Sequence, residues 1–180
     1  MNKKILVLTG SPREGGNTDQ LADAFIRGVL EAGNQVYRFD AGRKQVEQCV
    51  GCETCASSGM CAVYDDFTEL ADYMRYADAI AIFTPLYWYN WPGKLKSAID
   101  RFYCFFCSKQ YTNIKESILV ACAGDTKMHI FEPLIGAYER TAKLLKWENK
   151  GHIVIPGVMK AGEIQNTPAI AGMEKIGRYF

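Results

Sequence analysis

Three short stretches of this 180-residue chain carry side chains suited to holding a ligand. Cys49, Cys52, Cys55 and Cys61 form a C-x2-C-x2-C-x5-C run. Close thiolates on a loop can wrap one iron–sulfur cubane, they suit tetrahedral zinc equally well, and they can also stay free or redox-active. A second stretch, Gly10 to Thr18, mixes small residues with Ser11, Arg13, Asn17 and Thr18. Gly10, Gly15 and Gly16 let such a loop curl around an anion while the polar side chains supplement its backbone donors, so a phosphate is the natural occupant. The pattern is neither G-x-G-x-x-G nor G-x-x-x-x-G-K-[ST], and an ordinary turn with glycines serving geometry alone is the competing reading. The third stretch, residues 85–92, holds Tyr87, Trp88, Tyr89 and Trp91. These aromatics suit a flat conjugated ring; packing under a helix or in a subunit interface is the alternative, favoured for Tyr89 and Trp91.

The elements around these stretches must bring them together. Ile5 to Leu8 is an apolar run with the signature of a strand covered on both faces. Leu21, Phe25, Ile26, Val29 and Leu30 then recur at helical spacing, with Asn17 at the expected N-cap, Gln20 three residues on and Gly33 closing the helix. The loop 9–18 therefore delivers N–H groups to a helix N-terminus, where unpaired donors and the helix dipole favour an anion. Further strands are expected at 34–40, 77–83, 117–123 and 151–155, and helices at 67–75, after Pro92, at 133–147 and at 168–180. Alternation of this kind predicts an α/β fold: a five-stranded parallel sheet of order 2-1-3-4-5 between two helical layers. The loops 9–18, 84–92 and 123–128 would then meet at one edge, with backbone N–H groups of Ala123, Gly124 and Asp125 facing the polar rim of the ligand.

Composition narrows the class. With 48% hydrophobic and 23% charged residues, residues 1–180 are expected to form one domain, with a cysteine-rich loop at about 41–66. A net charge of +1 and the absence of a basic run argue against nucleic acid, and no apolar stretch is long enough to span a membrane. Seven cysteines, four of them crowded together, suit a reducing, cytoplasmic setting. Only His129 and His152 are available, so no nucleophilic triad is expected; His129 follows the fourth strand and could reach the ligand, whereas His152 reads as structural. Cys104 and Cys107 form a second C-x2-C that reads as small buried apolar residues, and Cys122 as inert core.

The chain resembles the flavodoxin-like NAD(P)H-dependent FMN reductases, and within them the iron–sulfur flavoprotein branch. The resemblance rests on GSPR-x-x-GNT at Gly10 to Thr18, on P-[LV]-Y-x-x-x-x-P-x-x-L-K-x-x-I-D-R at Pro85 to Arg101, on the cysteine run before Asp65-Asp66, and on G-x-I-x-N-x-P-A from Gly162 to Ala169. It implies a flavodoxin-like fold in which Ser11, Arg13, Gly16, Asn17 and Thr18 hold the FMN phosphate. Pro85, Leu86, Tyr87 and Trp88 would hold the isoalloxazine, with Ala123 and Gly124 at its pyrimidine end. Cys49, Cys52, Cys55 and Cys61 would be ligands of a [4Fe–4S] cluster. Trp88, Tyr89 and Trp91 depart from the smaller residues common in relatives. The implied activity is electron transfer from NAD(P)H through FMN to a flavin or quinone acceptor, with no catalytic side chain required. The alternatives are an electron carrier with FMN and a cluster, and a zinc-stabilised binding module. Aromatics near 87–91 and 102–106 predict a homodimer or tetramer.

Overall fold

The computed structural model describes residues 2–110 and 112–180. Five parallel strands, β1 (Lys4–Thr9), β2 (Gln35–Asp40), β3 (Ala79–Pro85), β4 (Glu116–Cys122) and β5 (Glu148–Ile155), lie in the order β2-β1-β3-β4-β5, as the alternation predicts. The helices are α1 (Asn17–Glu31), α2 (Thr54–Ser58), α3 (Phe67–Tyr76), α4 (Gly93–Asp100), α5 (Tyr103–Cys107), α6 (Glu132–Leu144) and α7 (Ala169–Tyr179).

Period-two alternation divides the core into two layers. Ile5 and Val7 of β1, with Ala79, Ala81 and Phe83 of β3, face Leu21, Phe25 and Val29 of α1 and Met173 of α7. Leu6, Leu8, Ile80 and Ile82 face the opposite way, onto Leu70 and Met74 of α3, Leu95 and Ile99 of α4, and Leu134 and Tyr138 of α6. Ile5 to Leu8 have no exposed surface, so each contributes roughly 1.5–3 kcal/mol by burial. α1 and α7 pack closely because Gly28 and Gly177 sit at their contact. A Cβ on Gly28 would come 1.9 Å from the Glu174 carbonyl oxygen, and one on Gly177 2.1 Å from that of Phe25.

The structure revises several expectations. Asn17 does not cap α1: Gly16 is the N-cap, without any side-chain cap, and Asn17 begins the helix. β3 runs on through Thr84 and Pro85, whose register partner is Cys122, and β5 begins at Glu148, ahead of the expected start. The helix following Pro92 stops at Asp100, and the second C-x2-C lies on a separate short helix, α5. 3₁₀ turns at Met128–Phe131 and Glu163–Asn166 precede α6 and α7. Trp91 packs into the core as expected, whereas Tyr89 is exposed, as is His152 on β5.

Candidate functional site

The winding reverses between β1 and β3, and the crevice beyond their carboxyl ends holds a cavity of about 750 Å³. That volume lies within the usual range for small-molecule sites.

The first wall is the loop from β1 to α1. Gly10 donates to the Phe83 carbonyl at 2.8 Å and packs so tightly that a Cβ there would sit 2.6 Å from Leu95 Cδ2. Ser11 Oγ accepts from the Arg13 N–H at 3.1 Å, which folds the loop back on itself. Gly15, at φ 65°, donates to Asp19 Oδ2 at 3.1 Å. With no side chain capping α1, its first N–H groups are left for an anionic ligand. Ser11, Arg13, Gly16, Asn17 and Thr18 all line the cavity here. Thr18 Oγ1 lies 3.1 Å from Cys122 Sγ, and burial pushes that thiol above its usual range.

Ion pairs behind the loop brace it. Asp19 pairs with Arg38 at 3.0 Å and Arg43 at 2.8 Å, and Asp40 accepts from Thr9 Oγ1 at 2.7 Å. Burial by itself would raise the Asp40 carboxyl, but Arg38 and Thr9 hold it below the usual carboxylate range. Arg13 stands apart: it reaches the Met159 carbonyl at 3.4 Å and has no carboxylate partner among the described residues. It lines the cavity, as does Asp125.

The second wall follows β3. Leu86 donates to the Cys122 carbonyl at 2.8 Å, and Tyr87 and Asn90 exchange backbone hydrogen bonds at 3.0 and 2.9 Å. The two residues between them, Trp88 and Tyr89, have φ of 46° and 65°. This is the geometry of a type I′ hairpin, built without the glycine or asparagine it normally uses. Trp88 is 93% exposed at the tip, and Pro85, Leu86, Tyr87, Trp88 and Tyr89 line the cavity.

The third wall joins two loops. Ala123 and Gly124 line the cavity with Asp125, and Val158 donates to the Ala123 carbonyl at 2.9 Å. Val158, Met159 and Ala161 line it too, although sequence reasoning did not single them out. Their signal was the loop after β5, which ends at the same edge. Asn17 ties that loop down, with Nδ2 donating to the Lys160 carbonyl at 2.9 Å and Oδ1 accepting from Gly162 at 3.0 Å. His129 is exposed, and Ile130 lines the cavity in its place.

The cysteine run lies elsewhere. Cys49 and Cys52 are exposed, Cys61 is half-buried, and Cys55 is buried with its sulfur 3.5 Å from that of Cys107. Hydrogen bonding to Thr54 lowers the Cys52 thiol below its usual range, whereas burial together with Cys107 pushes Cys55 up to about 11. Burial takes Cys104 to about 12. Among the described residues no three Cys, His, Asp or Glu side chains converge where they could hold a metal ion. The run's thiols are held apart, Cys49 and Cys52 exposed and Cys55 against Cys107.

Comparison with known proteins agrees with the fold. The profile of the NADPH-dependent FMN reductase family matches residues 3–130, and the chain belongs to that family. An iron–sulfur flavoprotein of Archaeoglobus fulgidus is 33% identical over 98 residues, which cover 54% of this chain and 44% of that one. The chain spans about half the length of the iron–sulfur flavoproteins it matches. A Bacillus subtilis protein provisionally named NAD(P)H-dependent FMN-containing oxidoreductase YwqN is 26% identical over 183 aligned positions, covering 96% of each. Among solved structures, an NAD(P)H:quinone oxidoreductase from Methanothermobacter marburgensis superposes with a TM-score of 0.80 at 20% identity, covering 99% of this chain and 96% of that one. That likeness establishes the fold.

Proposed function

We propose that this chain binds FMN in the crevice and transfers electrons from NAD(P)H through it to a small planar acceptor of flavin or quinone type. One observation carries the reading. An uncapped helix N-terminus, an arginine with no ion-pair partner among the described residues and an aromatic hairpin line a single cavity at the topological switch point. The polar wall suits a phosphate and the aromatic wall suits a conjugated ring.

When bound, FMN supplies the redox chemistry, accepting a hydride and releasing electrons singly or in pairs. The chain's own residues bind and orient. The first-turn N–H groups of α1, with Ser11, Thr18 and Arg13, would hold the phosphate. Pro85, Leu86, Tyr87 and Trp88 would cover one side of the ring, and the Ala123–Gly124 backbone its polar edge. Asn17 acts at one remove, because its amide holds the 160–162 segment against the mouth. No side chain in the cavity is called on as an acid or base.

Several companion readings belong to the same proposal: residues 1–180 form one domain, the setting is cytoplasmic, and the chain self-associates. Exposed Tyr87, Trp88, Tyr89, Tyr103 and Phe106 support a homodimer or tetramer, which light scattering tests. None of the helices among the described residues is long and apolar enough to cross a membrane. The carrier reading, with a [4Fe–4S] cluster on Cys49, Cys52, Cys55 and Cys61, finds no support in the thiol arrangement.

Purified chain should be yellow, or become so on adding FMN, and should oxidise NAD(P)H with a quinone as acceptor. A colourless chain that refuses FMN at millimolar supply overturns the assignment.

A further inference from the structure

Cys55 is the second residue of α2 and Cys107 the last of α5, and their sulfurs lie 3.5 Å apart although 52 residues separate them. A disulfide needs about 2.05 Å, so closure requires an approach of roughly 1.5 Å. The two helices are held differently. α5 is fixed by Cys104 and Phe105, which are 3% and 1% exposed. α2 is a five-residue segment between two left-handed residues, Glu53 at φ 57° and Gly59 at φ 74°, and no side chain caps it. Arg101 clasps the loop beyond both ends of α2, reaching the carbonyls of Glu47 at 3.4 Å and Val63 at 2.6 Å. The loop is thus anchored at its base, and its only buried thiol faces α5.

We propose that Cys55 and Cys107 form a redox-active pair that closes to a disulfide, a modification site outside the flavin crevice and independent of the FMN reading. The oxidant is a small disulfide such as oxidised glutathione. Cys107, half-buried and the more accessible of the two, attacks one sulfur of that disulfide, forming a mixed disulfide and releasing one small thiol. Cys55 then attacks the Cys107 sulfur, the protein S–S bond forms, and the second small thiol leaves. The two cysteine protons depart with the released thiols. The protein loses two electrons and the small disulfide gains them. Closure ties the cysteine-rich loop to α5 and removes Cys55 from the set available to a metal.

The full chain, with whatever flavin it carries, is treated anaerobically with oxidised glutathione, quenched and analysed by thiol titration and mass spectrometry. With the exposed Cys49 and Cys52 replaced by serine, free thiols should fall from five to three, with a mass loss of two hydrogens and no retained glutathione, all reversed by dithiothreitol. Trypsin leaves Cys104 and Cys107 together on residues 102–109, so single variants assign the link. Cys55→Ser and Cys107→Ser should each abolish it, and Cys61→Ser, Cys104→Ser and Cys122→Ser should retain it. The flavin spectrum, read in parallel, reports separately on the crevice. The proposal is overturned if all thiols survive, if the link survives Cys107→Ser, or if the anaerobically purified chain carries about four irons with its run of thiols unreactive.

Discussion

Arg101 and Asp65 form an ion pair at 2.6 Å in which the guanidinium side chain has no exposed surface. Asp65 also accepts from the N–H groups of Glu47 and Phe67 at 2.7 and 2.9 Å, and the Arg101 guanidinium lies 4.2 Å from the centre of the Phe67 ring. The pair therefore joins α4, the start of α3 and both ends of the cysteine-rich loop. Arg101 Nε is buried without a hydrogen-bond partner, so the clasp is already incompletely satisfied.

Removing one member leaves the other charge buried alone. Asp65→Asn and Arg101→Ala should each lower unfolding free energy by about 3–5 kcal/mol in urea titrations. The pH dependence has a definite sign. Burial alone would raise the Asp65 carboxyl, but Arg101 and the two N–H donors hold it below its usual range. A depressed carboxylate stabilises fully above its unfolded value, near pH 4, and that stability is lost as pH falls through the folded value. Asp65→Asn should therefore show a shallower loss of stability between roughly pH 5 and pH 2 than the parent chain. Equal acid slopes in the two proteins would show that Asp65 is not held charged by this pair.

Local signals account for what the sequence revealed and what it hid. The sheet order was legible because apolar strand runs such as Ile5 to Leu8 and Ala79 to Phe83 alternate with amphipathic helices along the chain. The three ligand loops then follow from topology. Asn17 misled because an asparagine before a helical stripe ordinarily caps it. Here its amide serves a segment 143 residues away, a contact no local pattern announces. The Cys55–Cys107 approach was hidden in the same way, since spacing groups cysteines by sequence and packing regroups them across α2 and α5. The lining residues Val158 and Met159 lie in a loop with no chemical signature, brought in by the hydrogen bond between Val158 and Ala123.

Gly42 sets how closely the turn after β2 approaches the loop 9–18. A Cβ there would lie 2.4 Å from the Ser11 carbonyl oxygen and 2.7 Å from that of Gly10, both backbone atoms that cannot swing aside. Gly42→Ala should cost about 1–3 kcal/mol of stability and weaken FMN binding at least about tenfold, because the loop itself must shift. Gly172→Ala is the control: nothing lies within 4 Å of its Cβ position in α7, so it should stabilise by about 0.5–1 kcal/mol and leave FMN affinity unchanged. Isothermal titration with chemical denaturation reads both. Unchanged affinity in Gly42→Ala would separate this contact from the binding site.

The Trp88–Tyr89 turn stores strain, since both residues are held left-handed and neither is favoured there. Replacing the pair with Asn-Gly, which suits a type I′ turn, should raise unfolding free energy by about 1–2 kcal/mol. The same change deletes two exposed rings at the cavity mouth, one of them the Trp88 assigned to the flavin ring, so FMN affinity and quinone turnover should both drop. A double variant that gains no stability would contradict the strain argument, and one with full turnover would show that the aromatic tip has no part in acceptor binding.

Arg13 distinguishes a phosphate site from a generic cavity. Its guanidinium has no carboxylate partner among the described residues and is exposed, so Arg13→Ala should change folding stability by no more than about 0.5 kcal/mol. If it faces the phosphate of FMN, the lost charge-assisted hydrogen bond is worth about 1.5–3 kcal/mol, or roughly 10- to 150-fold in affinity. Riboflavin, which has the same ring without the phosphate, should bind the parent chain and Arg13→Ala alike. Fluorescence titration of the two flavins against both proteins gives four dissociation constants, and the loss should fall on FMN alone. An equal loss for both flavins would move Arg13 from the phosphate to the ring.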